Sequence, residues 1–421
     1  MAAALIIFAA AWGVCGIPAN AQVTLLLEEP YSYDGTFAGT GHTAVYLSRV
    51  CADSPTVLRR CGPGENGVVI SRYHHVANRD WIAIPIIPYL YAVKTPGEIP
   101  LYADLKLVTF LRQRYLKEIG ITDSDAYQLA GSAYDRTSYG FRIETTPEQD
   151  DELIRWLNAE TNSESYQLLK RNCADFVKQI VNFYYPKAIH RSVIADLGVM
   201  TPKQAAKTLV HTAKRRREMR LTTFIIPQVP GLKRSKPVHG VIESLVLAKK
   251  YVTPVLIFHP FLVGGVEAAY WAGWRFNPSK GALIFDPVNG LQAPLTTAQR
   301  DWYVKSLSAM KRESMEDPLP NWRKFEEQTE PQLDAGGRPF LQVSNEDQIA
   351  QVGICRDNAA RLEAPPELIQ GLLFARLQQE LKPRKPSHIS ERQIATDWEL
   401  LQDVTRAREA SLRTAAMAGA E

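Results

Sequence analysis

Between Gln22 and Pro186 the chain alternates short β-like runs with a few helical stretches, and this alternation is the strongest limit on what it can fold into. The runs Val23–Leu27, Gly41–Val50, Gly67–Tyr73 and Trp81–Val93 are rich in Val, Ile, Tyr and Thr and are bounded by Gly, Pro and Asn, as strands are. Pro85 and Pro88 make the last of them an edge or interrupted strand, because proline removes a ladder donor. Leu101–Gly120 reads as a helix, with Leu105, Val108, Leu111 and Leu116 recurring at helical spacing and Gly120 ending it. Tyr139–Glu144 and Ser165–Lys170 read as strands. Thr146–Asn158 and Cys173–Tyr184 read as helices, the second stopped by Pro186. The pattern predicts an α+β fold with a small antiparallel sheet packed on helices.

Residues 1–27 contain no Asp, Glu, Lys or Arg, and an apolar run from Leu5 to Val14 is followed by Pro18 and Ala19-Asn20-Ala21. This is the layout of a secretory signal spanning residues 1–21, without the usual positive start. It predicts an exported protein, periplasmic or associated with the outer envelope. Export bears on the cysteines, because an oxidising compartment favours pairing. Cys51 and Cys61 lie ten apart around Pro55, between two β-like runs, and are expected to form a hairpin disulfide. Cys173 and Cys355 are then left over as free thiols.

With 421 residues, 45% of them hydrophobic and 22% charged, the chain has room for two or three globular domains, and disorder is excluded as its general state. A net charge of +4 carries no global argument for a nucleic-acid partner. Beyond Pro186 the text changes, so the expected division is residues 22–186, 187–300 and 301–421. The middle part holds a basic helix, Pro202–Arg220, and an uncharged stretch, Tyr251–Val266, broken by Pro254 and Pro260. At 16 residues that stretch is too short to span a bilayer and reads as a core or interfacial hairpin. Together with Lys214-Arg215-Arg216-Arg217 it is the expected place of any contact with a membrane surface. The last part looks helical and accessory, with Leu368, Leu372, Leu373, Leu377 and Leu381 on one face, Ser390 opening another helix, and Met315–Gly337 as a linker.

Chemistry concentrates in two places. In the run from Ser165 to Val181, Asn172 is a favoured helix cap and Cys173 falls in the first helical turn. There the unpaired N–H groups and the helix dipole favour a thiolate, the nucleophilic form. In Gly39-Thr-Gly-His42-Thr-Ala-Val-Tyr-Leu47 a histidine heads a strand and offers a base that titrates in the right range. His74-His75 with Asp80 is a poor metal site, because adjacent strand residues face opposite ways. No phosphate loop or nucleotide fingerprint is present, and no cofactor is implied.

Gly41-His42-Thr-Ala-Val-Tyr-Leu47, followed about 130 residues later by Asn172-Cys173-Ala174-Asp175-Phe176, resembles the circularly permuted branch of the papain-like NlpC/P60 superfamily, which includes the lecithin:retinol acyltransferase-like proteins. There the histidine strand precedes the cysteine helix. The resemblance covers roughly residues 22–186 and implies Cys173 as nucleophile, His42 as general base and the Cys173 N–H as an oxyanion donor. The residue that orients the histidine normally comes from the next strand, which offers Ser71, His74 and His75; His74 stands with Cys173 and His42 in the candidate catalytic set. The implied activity is hydrolysis of an amide bond through an acyl-enzyme, with a peptide of the cell wall (peptidoglycan) as the expected substrate. A lipid acyltransferase or thioesterase, and a silent binding or scaffold protein, are the alternatives.

Overall fold

Seven of the eight residues of Ala21–Glu28 are buried, and this strand, β1, runs through the middle of the molecule. It is hydrophobic without alternation because both of its faces are covered, Val23, Leu25 and Leu27 by one apolar core and Leu26 by another. The computed structural model describes residues 21–31, 40–244, 276–313, 327–355 and 390–418, apart from some positions inside these stretches, such as 75, 164 and 193–195. The expected leader up to residue 20, the apolar stretch 251–266 save for Phe261 and Gly265, and the leucine stripe 368–381 lie outside the described residues.

After β1 come β2 (His42–Leu47), β3 (Val50–Ser54), β4 (Val57–Arg60), β5 (Val68–Ser71) and β6 (Ile82–Pro85), then helices α1 (Ile86–Tyr91), α2 (Leu105–Glu118) and α3 (Ser132–Asp135). Strand β7 (Ser138–Thr145), helices α4 (Pro147–Ala159), α5 (Cys173–Tyr184) and α6 (Pro202–Arg215), and strands β8 (Thr222–Ile226), β9 (Leu283–Asp286) and β10 (Gly290–Gln292) follow. The chain continues with α7 (Thr297–Glu313), β11 (Thr329–Leu333), β12 (Pro339–Asn345), β13 (Gln348–Gly353) and α8 (Glu391–Ala418). The architecture is mixed α and β.

An eight-stranded sheet in the order β10-β9-β8-β7-β1-β2-β5-β6 forms the centre. All its pairings are antiparallel except β8 with β9. On one face α4, α5 and α6 bury Leu153, Phe176, Val177, Ile180 and Leu209 against Val23, Val45 and Phe141. On the other, α1, α2 and α3 bury Leu90, Leu107, Leu111 and Tyr134 against Leu26, Val69 and Ile226. Cys51 and Cys61 are joined as a disulfide across the β3–β4 hairpin. Among the described residues no helix is long and apolar enough to cross a membrane.

Four expectations are corrected. The Trp81–Val93 run is strand only as far as Pro85, after which Ile86–Tyr91 is helical; Pro88 is tolerated because first-turn N–H groups have no helical partner. Ser165–Lys170 is a turn closed by a bridge between Gln167 and Arg171, held by the Asn172 amide on the Leu168 carbonyl. The sheet does not stop at Pro186, because β8 covers the edge of β7 and recruits β9 and β10, so the division at residue 186 cuts one sheet in two. The part after residue 301 is not all helical: β11, β12 and β13 form a second sheet, inside which Pro331 sits on an edge strand.

Helix α4 starts with a capping box between Thr146 and Gln149 and buries Asp150, which accepts hydrogen bonds from the hydroxyls of Tyr184 and Thr145. Burial pushes the Asp150 carboxyl up to about 6 against the lowering effect of those hydroxyls. A carboxyl raised in the folded state contributes its full stability below the unfolded value near 3.9 and loses it as pH rises through the folded one. Asp150→Asn keeps the accepting oxygen without the charge. Its stability relative to the wild type is expected to rise by about 1–3 kcal/mol between pH 4 and 7, measured by urea denaturation; a difference that does not change with pH would refute this.

Candidate active site

Helix α5 begins where Asn172 uses both ends of its amide. Its Oδ1 accepts from the Asp175 N–H at 3.0 Å, and its Nδ2 donates to the carbonyls of Leu168 and Met200. This cap sets Cys173 as the first helical residue, with a side chain 8% exposed. The helix packs with Phe176, Val177 and Ile180 on the core shared by β1, β2 and β5, which carries its N-terminus to the head of β2.

The backbone N–H groups of Thr43, Ala174 and Cys173 itself favour the charged form of the Cys173 thiol. Thr43 is the residue after His42, so the thiol lies against the backbone at the head of the strand that carries the histidine. Burial dominates the thiol, with Glu28 adding to it, and together they push it up to about 11 against the helix-start N–H groups. His42 is partly exposed but closely surrounded. Burial, helped by the positive charge of Arg136, pushes its imidazole down to about 3.

Gly41 lets His42 approach β1. It adopts φ +70°, and a Cβ there would lie 2.2 Å from the Glu28 carbonyl oxygen. His42 then pairs with Glu28 at the end of the β1–β2 ladder. Its Nε2 lies 2.8 Å from Ser71 Oγ, and the Ser71 hydroxyl donates to the Thr43 carbonyl at 3.1 Å. With the serine proton on the Thr43 carbonyl, Ser71 accepts from Nε2–H, and the ring is then the Nε2–H tautomer with a lone pair on Nδ1. One face of the imidazole stacks on Tyr73, with centroids 5.1 Å apart and planes at 20°.

Ser71, one of the three expected orienters, is thus the residue on the ring. His74, carried in the candidate catalytic set, is instead exposed and meets the edge of Tyr166, because it lies just past the end of β5 where the chain leaves the sheet. His75 lies outside the described residues. Asp80 is engaged by Arg72 at 2.6 Å and by the Ser165 hydroxyl at 2.6 Å, and Asn162 accepts from the N–H groups of Asp80 and Trp81. These bonds tie the turn ahead of the cysteine to the loop after β5. Among the described residues, the one cluster close enough to hold a metal is Cys51, Cys61 and Glu65, and its two sulfurs are joined to each other.

Three further features surround the site. Tyr166 stands close enough to Cys173 for the sulfur to act on its phenol, which burial raises to about 12. Glu28, fully buried, accepts from the Tyr89 hydroxyl at 2.7 Å and pairs with Arg136 Nη1 at 3.2 Å. The Arg136 guanidinium lies 4.8 Å from the centre of the Tyr31 ring. Only the strand register could have pointed to Glu28, as the cross-strand partner of His42.

No protein-family model matches the chain, and no curated protein matches it. Among solved structures it is similar to the crystal structure of a type VI secretion system effector, TseH, with a TM-score of 0.23 and 13% sequence identity, over 49% of this chain and 93% of that one. At that level of likeness the chemistry of the site rests on its own residues.

A thiol raised by burial ionises late. Alkylation of Cys173 by iodoacetamide in the folded protein, followed by peptide mass spectrometry, is expected to keep accelerating toward pH 11, and a plateau near the ordinary thiol value of about 8.5 would contradict it.

Proposed function

We propose that the protein is a cysteine hydrolase of the permuted papain-like kind, acting on an amide bond through an acyl-enzyme. One observation carries the reading: the Cys173 sulfur lies at the start of a capped helix against the peptide that follows His42, while Ser71 holds Nε2 of that histidine. A lone buried cysteine or a lone histidine needs no such arrangement.

At neutral pH both groups rest uncharged. Nδ1 of His42 takes the thiol proton as Sγ attacks the substrate carbonyl carbon, forming the C–S bond and a tetrahedral oxyanion. That oxygen is received by the backbone N–H of Cys173, a first-turn donor with no carbonyl of its own turn to bond. The C–N bond then breaks, and the imidazolium returns its proton to the leaving amine. Water, losing a proton to the same imidazole, adds to the thioester carbonyl; the C–S bond breaks, the imidazolium returns that proton to Sγ, and the carboxylic acid leaves. Ser71 keeps the tautomer fixed throughout, and no cofactor enters any step.

A peptide of the cell wall is the substrate class to test first. Full-length protein incubated with purified wall fragments is expected to release new amino groups. Cys173→Ala and His42→Ala are each expected to abolish release, and Ser71→Ala to lower kcat on the order of 10²-fold. Full activity in Cys173→Ala would sink the reading. A second reading, ester or thioester transfer on a lipid, is favoured by Leu168 and Leu169, about half exposed on the turn that leads into the cysteine helix. Acyl release from lipid esters with none from wall peptides would select it.

A further inference from the structure

A histidine ring turns about its Cβ–Cγ bond in a broad, soft torsion with no strong intrinsic preference. One hydrogen bond at Nε2 acts on it as a hinge and leaves the plane free to swing. For His42 the second restraint is Tyr73, two residues beyond Ser71, 4% exposed and stacked on the imidazole. Tyr73 is itself held. It is packed among Leu26, Ala44, Val69 and Tyr89 in the core on the α1 side of the sheet. Its hydroxyl lies in the field of Glu28, which is bound in turn by Tyr89 and Arg136.

We propose that Tyr73 is a positioning residue for the base: its ring fixes the plane of the His42 imidazole so that Nε2 stays on Ser71 and Nδ1 stays available to the Cys173 thiol. This deepens the hydrolase reading and rests on it for its catalytic meaning. Stacking also shields one imidazole face from water, which favours the neutral base. The groups around His42 are its cross-strand partner Glu28 of β1, Ser71 and Tyr73 at the end of β5, and Arg136 after α3; Tyr89 of α1 reaches Glu28, and the Cys173 thiol of α5 acts on Tyr73 and feels Glu28. Of these Arg136 disfavours the imidazolium, and Glu28 is already occupied by Arg136 and Tyr89. Changing Tyr73 therefore acts on the histidine through exposure and orientation rather than through a formal charge.

The test compares Tyr73→Leu with Tyr73→Phe in the full-length protein. Tyr73→Phe keeps the stacked face and is expected to retain kcat within about threefold. Tyr73→Leu is expected to lower kcat by about tenfold to a hundredfold with KM within twofold, because a ring 4% exposed offers a substrate almost no surface. Nitrogen-15 NMR of the histidine side chains, with His42 assigned by the loss of its signals in His42→Gln, gives a readout independent of turnover. Wild type is expected to show a single Nε2–H tautomer that stays neutral down to low pH. Tyr73→Leu is expected to show averaged tautomers and a titration moved upward.

A wild-type His42 with averaged tautomers would overturn the proposal without any variant, so it does not depend on Tyr73→Leu folding. So would a Tyr73→Leu protein with unchanged kcat and unchanged His42 titration, or a Tyr73→Phe protein as impaired as Tyr73→Leu. If no substrate shows turnover dependent on Cys173, the hydrolase reading fails, while the tautomer and titration still decide whether Tyr73 holds the ring.

Discussion

Two adjacent glutamates at the buried end of β1 set the terms for much of the molecule around them. Glu28 and Glu29 are 0% and 1% exposed, and a buried carboxylate is tolerated only when charges and hydrogen bonds surround it. Glu28 is met by Arg136 and the Tyr89 hydroxyl, which draws α1 and the end of α3 onto the side of the sheet where His42 lies. Glu29 is met by the hydroxyls of Tyr139 and Ser235 and by Arg392 of α8, which ties a strand, a loop and the final helix to one point. Removing one partner of such a group costs more than the bond itself, because a charge is left behind in a low-dielectric interior. The last helix is thus anchored to the residue beside the cross-strand partner of His42, and Asp397, held by Arg234 and Tyr303, adds a second anchor one to two turns on.

The site combines two opposing influences. A helix start offers N–H groups to a thiolate, yet the same position is buried and close to a carboxylate, and burial prevails. The histidine is likewise held neutral by its surroundings and by Arg136. A neutral thiol beside a neutral base differs from a preformed ion pair, because the charges then develop only as the proton moves. In the proposed hydrolase that arrangement rewards fixed geometry over resting electrostatics, which gives Ser71, the Asn172 cap and the face of Tyr73 as much weight as the proposed nucleophile.

The cysteine helix and the histidine strand were legible because each carries a local signal. Asn172 before an amphipathic run marks a helix start, and glycines before Thr43-Ala-Val-Tyr-Leu mark a strand start. The turn at Ser165–Lys170 was not legible, since its β-like composition is overridden by bonds from Asn172 and Asp80, the latter more than eighty residues away. The extent of the sheet was hidden for a similar reason. Strand β7 needs a partner on its free edge, and nothing in its own composition says that the partner is Thr222–Ile226, beyond three helices. Ser71 and His74 were equivalent as text, and the point where β5 ends separates them.

Local composition settles which residues can carry chemistry here and where the histidine strand and the cysteine helix begin, since capping, proline chemistry and side-chain periodicity act over a few residues. Packing settles the rest. It selects which serine or histidine meets the imidazole, places Glu28, Arg136 and Tyr73 around it, and drives the thiol and the imidazole away from their solution values. These outcomes depend on desolvation and on contacts between segments tens to hundreds of residues apart, and such quantities exist only once the chain has closed around them.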